Sequence, residues 1–416
     1  MALNYVWLFF FFIAFVVALA RLLFFGDTAI FSRVMTSLFD GAKNGFDISL
    51  GLAGVMTLWL GIMKIGEKAG MIDKFAKAVS PFFRKLFPSI PKGHAAGGAI
   101  MMNFSANMLG LDNAATPLGL KAMQELQTIN PKKETASDAQ IMFLVLNTAG
   151  LTIIPTSVMA MRQSIAIAQG VTNFNAADIF LPTLIVTFIS FLSGMIAAAA
   201  YQRINLFKLP ILIFVGGFAA LMAGLYFWLK QYPPDQMAAY IGLLGSAIIF
   251  SIIILFLLAG VRKKINVFET FIDGAKEGFQ VVIKIVPYLV AILISIAVFR
   301  ATGCMDYVVQ GLGKLFAALG MNTDFVPTLP IGLMKPMSGA GSRGLMIDVL
   351  KTYGVHSFQG KLAAIIQGGT ETTFYTIAVY FGSIGIKNTR YTIVCGLIAD
   401  AVGLVAAIIV GYLFFK

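Results

Sequence analysis

The sequence is poor in charge, cysteine and histidine. Charged residues make up 12% of its 416 residues and hydrophobic residues 58%, whereas a soluble domain has about 25% charged residues. This deficit argues against a soluble domain and for an integral membrane protein. Two cysteines, Cys304 and Cys395, are too few for a disulfide framework or a Cys-based metal site. Two histidines, His94 and His356, make a His-based zinc site within one chain equally unexpected.

Catalytic motifs are missing as well. The sequence has no GxxxxGK[ST] phosphate loop, which argues against hydrolysis-driven pumping. No nucleophile, base or metal constellation stands out, so we predict neither an enzyme nor a bound cofactor or metal. The net charge of +12 would suggest nucleic acid as the partner of a soluble protein. In a membrane protein, basic loops facing the cytoplasm and anionic lipid explain it, so we expect a lipid bilayer and no nucleic acid as partner.

Long apolar runs are what the sequence does contain. A ~30 Å hydrocarbon core requires about 20 apolar residues in a helix. The N-terminal run Tyr5–Ala20 has no basic residue before it, and we interpret it as a retained membrane helix rather than a signal peptide. The other predicted spans are Ile48–Ile65, Ile179–Ala200, Leu209–Leu229, Met237–Gly260, Val281–Phe299 and Tyr391–Phe415.

Four further stretches mix Gly, Pro, Asn, Ser or Thr into apolar sequence. Irregular backbone at membrane depth persists only where it is buried in protein or lines a wet cavity. We therefore predict re-entrant hairpins and broken helices in these stretches. They are Gly93–Leu126, Ile141–Arg162, Phe325–Leu350 and Leu362–Gly382.

One polar phrase occurs twice. DGAKNGF at Asp40–Phe46 returns as DGAKEGF at Asp273–Phe279, and further matches continue at the same offset of 233 residues. We interpret the chain as an N-terminal transmembrane helix (residues 1–27), a first repeat (28–200), a linking pair of transmembrane helices (201–265) and a second repeat (266–416). The phrase is then repeated because one fold unit is used twice.

The distribution of basic residues predicts that the two repeats are inverted. The amphipathic segment Gly66–Pro91 suits a helix lying along the membrane interface. The stretch Glu67–Lys92 contains six Lys or Arg, whereas the matching stretch Arg300–Phe325 contains two. Since cytoplasmic loops are enriched in Lys and Arg, the two stretches belong on opposite sides of the membrane. The predicted fold class is therefore an all-α polytopic membrane protein of transporter-like build, with two inverted repeats.

In the first repeat, the stretch NFSANMLGLDNAATPLGLKAMQEL carries the candidate site residues. Polar side chains flank Gly110, and Pro117 is suited to open a helix. A break of this kind offers free N–H groups that attract anionic or hydrogen-bonding ligands, although Asn and Thr also serve as ordinary polar contacts between membrane helices. The predicted lining residues of this repeat are Asn103, Asn107, Asn113, Thr116, Asn147 and Thr148.

In the second repeat, Glu371 in GGTETTFYT is the strongest candidate for a functional residue. An intramembrane carboxylate could take up a proton, bind a cation or accept from substrate hydroxyls; the alternative is a structural pair with Lys335 or Arg343. Those two cations could bind an anionic substrate or act as interfacial anchors. For Asp400, a helix–helix contact is the preferred interpretation. The predicted lining residues are Ser338, Ser342, Arg343, Gln367, Thr370, Glu371 and Thr373, with Glu371 as the coupling residue.

These motifs resemble a known family. NMLGLDNAATPLGLKAMQEL resembles the signature of spore maturation protein A, and KPMSGAGSRG with QGGTETTFYTIAVYFGSIGIKNTRY resembles spore maturation protein B. The chain looks like a fusion of the two, in the group with a nucleoside-recognition or gate domain. The resemblance implies a transport-type fold and leaves the substrate open. The chain departs from the expected pattern at Asp112, at Lys335 and in Gly354–Ser357, which warns against transferring any ligand.

Taken together, these patterns favour a secondary transporter in the bacterial inner (plasma) membrane. Its solute would be small and polar or anionic, with a nucleoside-like compound as one candidate, and coupled to H⁺ or Na⁺. Alternating access would come from rocking of the two repeats about the site. The alternatives are a passive channel and a non-transporting membrane scaffold. Analogy with related folds suggests a homodimer.

Overall fold

The chain folds into helices joined by short loops. The structure, a computed structural model, describes residues 2–110 and 112–416, and the side chains of residues 2, 3, 112–114, 234, 235 and 238 are left aside. The described residues form α-helices and two short 3₁₀ turns, with no β-strand. Seven helices are long and apolar enough to cross a membrane. The predicted all-α polytopic membrane fold is confirmed.

The α-helices of the described chain are, in order, α1 (Ala2–Phe25), α2 (Ile30–Lys68), α3 (Met71–Leu86), α4 (Ala95–Met108), α5 (Asp112–Thr128), α6 (Asp138–Ala149), α7 (Thr156–Ala168), α8 (Phe180–Gln202), α9 (Leu209–Leu229), α10 (Pro234–Arg262), α11 (Val267–Ala301), α12 (Cys304–Ala318), α13 (Leu329–Met334), α14 (Gly339–Tyr353), α15 (Phe358–Gly369), α16 (Thr373–Gly382) and α17 (Thr392–Phe415). The α1, α2, α8, α9, α10, α11 and α17 helices are the seven candidate spans.

The α2 and α11 helices are much longer than the predicted spans inside them. They contain 39 and 35 residues, because each continues through its copy of the repeated phrase instead of starting after it. Polar residues within a helix are tolerated where they reach water or an ion partner. Lys68 of α2, for example, pairs with Asp273 of the second copy at 3.1 Å.

The glycines of the repeated phrase lie where α2 and α11 cross. A Cβ at Gly45 would stand 2.9 Å from Cα of Val290, and one at Gly278 would stand 2.7 Å from the carbonyl oxygen of Met56. Residue numbers rise along one helix as they fall along the other, so the two helices run antiparallel. Each copy of the phrase thus permits close approach to the other half, which is the contact that an inverted repeat requires. The inversion of the two complete halves stays a prediction.

A second antiparallel pair joins the halves through α8 and α17. Gly194 of α8 lies against Ala399, and Gly403 of α17 lies against Ser190, with Cβ contacts of 3.3 and 3.2 Å. The sequence GMIAA that starts at Gly194 matches GLVAA at Gly403. Small residues at such positions let the helix backbones approach closely, which is how helices associate in membranes.

The four polar stretches form pairs of short helices. The pairs are α4 with α5, α6 with α7, α13 with α14, and α15 with α16, and none of these helices exceeds 17 residues. Both α6 and α15 contain 12 residues and begin after a serine that caps the helix, Ser137 and Ser357. We call residues 150–155, between α6 and α7, the first break, and residues 370–372, between α15 and α16, the second break.

Candidate functional site

The two breaks meet each other inside the protein. The Glu371 N–H of the second break donates to the carbonyl oxygen of Thr148, at the end of α6, at 2.9 Å. A Cβ at Gly150, which has φ +54°, would stand 3.2 Å from Cγ of Glu371. The helices α6, α7, α15 and α16 therefore begin or end at one place. Some of the N–H and C=O groups at these helix ends are hydrogen-bonded to the other half.

In each half, the break or the helix start that follows it is also hydrogen-bonded to the other polar stretch of the same half. In the first half, the Ile153 N–H donates to the carbonyl oxygen of Met108, at the end of α4, at 2.8 Å. In the second half, the Phe374 N–H donates to the carbonyl oxygen of Pro336, between α13 and α14, at 3.0 Å. All four polar stretches of the sequence thus converge on one site.

A polar cavity of about 50 Å³ lies beside the two breaks. Its walls come from the first break and the start of α7 on one side, and from α13–α15 and the second break on the other. The lining residues are Gly110, Thr152, Ile154, Pro155, Thr156, Ser157, Val158, Lys335, Arg343, Gln367, Gly368 and Glu371.

Two larger cavities continue from the polar one. A cavity of about 260 Å³ shares Gly110, Thr156, Ser157 and Arg343 with the polar cavity, and is otherwise walled mainly by apolar side chains of α2 and α11. A third cavity, of about 340 Å³, shares Leu60 and Met63 with the second. It is lined by charged residues at the C-terminal end of α2 and the N-terminal part of α11. The three cavities form a series from the breaks to that charged end.

The polar cavity is lined by two cationic side chains, Lys335 and Arg343, and by one carboxylate, Glu371. Arg343 lines both the polar and the second cavity. Lys335 is buried, and its Nζ donates to the carbonyl oxygen of Gln367 at 2.8 Å. Thr156 and Ser157 open α7, and helix N-termini carry partial positive charge and free N–H groups. The arrangement suits a solute with an anionic group facing Arg343 and α7, and with hydrogen-bond donors facing Glu371.

Glu371 departs from the expected setting. The sequence predicted a carboxylate buried among apolar residues, but the side chain is exposed and lines the polar cavity. The physical reason is its place in the second break, where the backbone is fixed by the bond to Thr148 and the side chain points into open space. None of the ion pairs among the described residues includes Glu371.

The predicted lining residues fall into two groups. Thr116 lines the second cavity, and Arg343, Gln367 and Glu371 line the polar one. The others that the structure describes lie behind these walls, namely Asn103, Asn107, Asn147, Thr148, Ser338, Ser342, Thr370 and Thr373. Asn113 lies outside the residues whose side chains are described.

The residues behind the walls make buried hydrogen bonds. The Asn107 Nδ2 donates to Oδ1 of Asn147 at 2.8 Å and so joins α4 to α6. The Asn103 Nδ2 donates to the carbonyl oxygen of Ala115 at 2.8 Å. Ser342 donates to Oε1 of Gln367 at 2.5 Å. These bonds hold the short helices in register, since a buried polar group that lost its partner would be costly.

Sequence reasoning missed the start of α7 and a buried ion pair. The order of the first break, with Pro155 directly before Thr156, was a usable signal for a helix start. The fully buried Arg162 pairs with Asp178 and donates to the carbonyl oxygen of Val355 at 3.0 Å. Lys361 also lies 3.7 Å from Asp178. This cluster joins the halves away from the cavities, and residues 16 positions apart gave no sequence signal for it.

Comparison with known proteins gives matches in both halves. The family model described as "Gate: Nucleoside recognition" matches residues 49–164 and again residues 282–387. The starts of the two matches are separated by the same 233 residues as the repeated phrase. The matches include the second part of α2 and of α11 and the four pairs of short helices, except for the last four residues of α7. No solved structure matches the chain.

Two curated relatives from Bacillus subtilis (strain 168) are similar to parts of the chain. Spore maturation protein B is 41% identical over 172 residues, which are 41% of this chain and 95% of that protein. Spore maturation protein A is 42% identical over 163 residues, which are 39% of this chain and 80% of that protein. Because the family model covers more than half of the sequence, this multi-pass membrane protein belongs to the nucleoside-recognition (gate) family, together with the spore maturation proteins A and B.

Proposed function

We propose that this protein is a secondary transporter of a small polar or anionic solute, coupled to H⁺ or Na⁺, in the bacterial inner membrane. The observation that carries the proposal is the meeting of the two breaks beside a polar cavity that continues towards one end of the protein. Solute sites of secondary transporters are built from discontinuous helices of this kind. Because the family description names nucleoside recognition, a nucleoside-like compound is the first candidate.

The charges of the site define the solute further. Arg343 and the N-terminus of α7 would bind a carboxylate, a phosphate or a carbonyl oxygen. Glu371 would accept hydrogen bonds from hydroxyl or amine groups of the solute. The 260 Å³ cavity next to the polar one gives room for an apolar or aromatic part, and ligand pockets are typically about 300–1,000 Å³.

Alternating access would use the antiparallel pair α2 and α11. The series of cavities reaches the end of α2 that the Lys and Arg bias assigns to the cytoplasm. The state seen would therefore be open to the cytoplasm, and rocking of the halves about the α2–α11 crossing would close this side. The protein would act without enzymatic chemistry, and the homodimer stays a prediction by analogy.

The experiment is a two-stage search for the solute. Detergent-purified protein is first screened by thermal shift against nucleosides, nucleobases, dicarboxylates, amino acids and dipeptides, with and without Na⁺ and at two pH values, since a ligand of the folded state raises Tm by mass action. Hits are then tested for uptake into proteoliposomes under an imposed H⁺ or Na⁺ gradient.

Accumulation above the external concentration, dependent on one of the two gradients, is the expected result. Flux that only equilibrates the solute would make the protein a passive channel. Binding without any flux would remove the transport function and leave a membrane scaffold or receptor.

A further inference from the structure

One buried carboxylate is not used by the site described so far. Asp400 lies in the middle part of α17, at 7% exposure, away from the linings of the cavities. Its Oδ2 accepts a hydrogen bond from Oγ1 of Thr373 at 2.6 Å. Its other oxygen, Oδ1, is buried and has no hydrogen-bond partner of normal geometry among the described residues, although the Thr370 side chain also lies close to the carboxylate. An ionised carboxylate in this setting is costly unless a cation or a proton joins it.

The face of α17 that carries Asp400 is pressed against the second break. Gly396 lies four residues before Asp400 and Gly403 three residues after it, so each stands about one turn away on the same face. A Cβ at Gly396 would lie 2.7 Å from Cγ2 of Thr373, and one at Gly403 would lie 2.9 Å from Cγ2 of Thr370. The two glycines therefore let Asp400 reach the residues on both sides of Glu371.

The charged neighbours of Asp400 come from two other elements. Lys335, which follows α13, and Glu371, in the second break, both lie within electrostatic reach. The α6 and α8 helices present hydroxyl groups at this face of α17, on Thr148 and Ser190. In the first half, the match of GMIAA with GLVAA places Phe191 where the second half has Asp400, so this acid has no equivalent there.

We infer that Asp400 is the proton-binding site of the transport cycle, and that Thr373 transmits its charge state to the second break. When Asp400 is ionised, the bond from Thr373 holds the start of α16 against α17. When Asp400 takes up a proton, Oδ2 becomes a weaker acceptor and this bond weakens. The break that carries Glu371 is then free to rearrange. This inference rests on the proposed transport function and adds to it the place where the coupling ion binds.

The test measures proton binding directly and needs no solute. Full-length protein is reconstituted in liposomes, and its infrared spectrum is recorded as a function of pH in potassium buffer. All 19 Asp and Glu side chains can give a C=O stretching band once protonated, so the signal is the difference between the wild type and Asp400→Asn. This difference band should appear as the pH falls. Glu371→Gln is the matched control, and it should keep the band.

Thr373→Val keeps the test decisive if Asp400→Asn fails to fold. This variant retains the carboxylate and removes one donor, so it should keep the band but shift the pH midpoint at which it appears. If the Asp400–Thr373 contact is purely structural, the pH-dependent C=O absorption should be the same in the wild type, Thr373→Val and Asp400→Asn, and that result would overturn the inference.

The same preparations separate a proton from sodium. Replacing potassium chloride with sodium chloride should leave the band and the Tm unchanged. A different result would overturn proton binding at Asp400 and identify a Na⁺ site instead. In that case the difference band is missing at every pH, and sodium raises the Tm of the wild type but not of Asp400→Asn. Because no transported compound is used, a failed solute search leaves this result standing. A missing band likewise leaves any measured transport standing.

Discussion

The first and second breaks share a backbone plan and differ in chemistry. Both follow a 12-residue helix with a serine cap. Ile153 in the first break, and Phe374 just after the second, are each hydrogen-bonded to the other polar stretch of their own half. The first break and its surroundings supply neutral groups, such as Thr152, Thr156 and Asn147, whereas Arg343, Lys335, Glu371 and Asp400 all belong to the second half. The two breaks thus share a scaffold, while the charged groups at the site belong to the second half. This difference separates residues that shape the site from residues that would recognise the solute under the proposed function.

The largest effect is expected from Glu371→Gln. It removes the only carboxylate in the lining of the polar cavity among the described residues and keeps the side-chain size. Gradient-driven uptake into proteoliposomes should be lost, while the Tm stays near that of the wild type. Glu134→Gln, at an exposed acid paired with Lys387, is the matched control and should transport normally. Wild-type uptake by Glu371→Gln would contradict the proposed role of Glu371 in binding the solute.

Arg343→Gln should weaken solute binding rather than abolish the cycle. Hydrogen bonds to charged groups contribute about 1.5–3 kcal/mol, so the KM of an anionic solute should rise roughly 10- to 100-fold. Arg343→Lys keeps the charge and should recover part of the loss. A neutral nucleoside should be less affected than a charged compound of similar size. An equal loss for both would show that Arg343 has a structural role.

Asn147→Leu should lower stability more than solute binding, because Asn147 lies behind the cavity wall and joins α4 to α6. The change leaves Nδ2 of Asn107 without its 2.8 Å bond and costs about 1–3 kcal/mol of unfolding free energy. The Tm should fall while the KM changes only a few-fold. The double variant with Asn107→Leu removes both partners and should recover stability relative to Asn147→Leu alone. A large rise in KM would move Asn147 into the group that recognises the solute.

At the crossing of α2 and α11, equivalent substitutions in the two halves should change stability by nearly the same amount. Gly45→Ala and Gly278→Ala occupy equivalent positions, and each should lower stability by about 1–3 kcal/mol through overpacking. Gly54→Ala, on α2 with open space around it, is the control and should be neutral. Unequal effects of Gly45→Ala and Gly278→Ala, measured as changes in Tm, would break the scaffold symmetry on which the comparison rests.

Much of the fold was predictable because hydropathy and repetition are strong signals. The spans, the four interrupted stretches and the family followed from apolar runs, from Gly and Pro positions and from long motifs. The ends of α2 and α11 did not, because a polar phrase inside a helix is indistinguishable from a loop until its glycines are seen against a partner helix.

The site was predictable as a set of stretches but not as a set of contacts. Glu371 was found because acids are rare in such surroundings. Its exposure depends on the bond to Thr148, which is 223 positions away and leaves no local pattern. Asp400 was predicted to form a helix–helix contact, and its bond from Thr373 does join α17 to α16. The partner could not be predicted, because the sequence does not give the rotation of α17, which the close packing of Gly396 and Gly403 sets.

The reciprocal packing of α2 on α11 and of α8 on α17 has a practical consequence. These interfaces, rather than the covalent connection, hold the two halves together, and the turn between α9 and α10 takes part in neither. A chain cut in that turn, at Gln231–Tyr232, should therefore remain assembled, and the two fragments produced from separate genes should find each other in the membrane. The protein can be treated as a split reporter whose reassembly is driven by glycine-lined helix contacts.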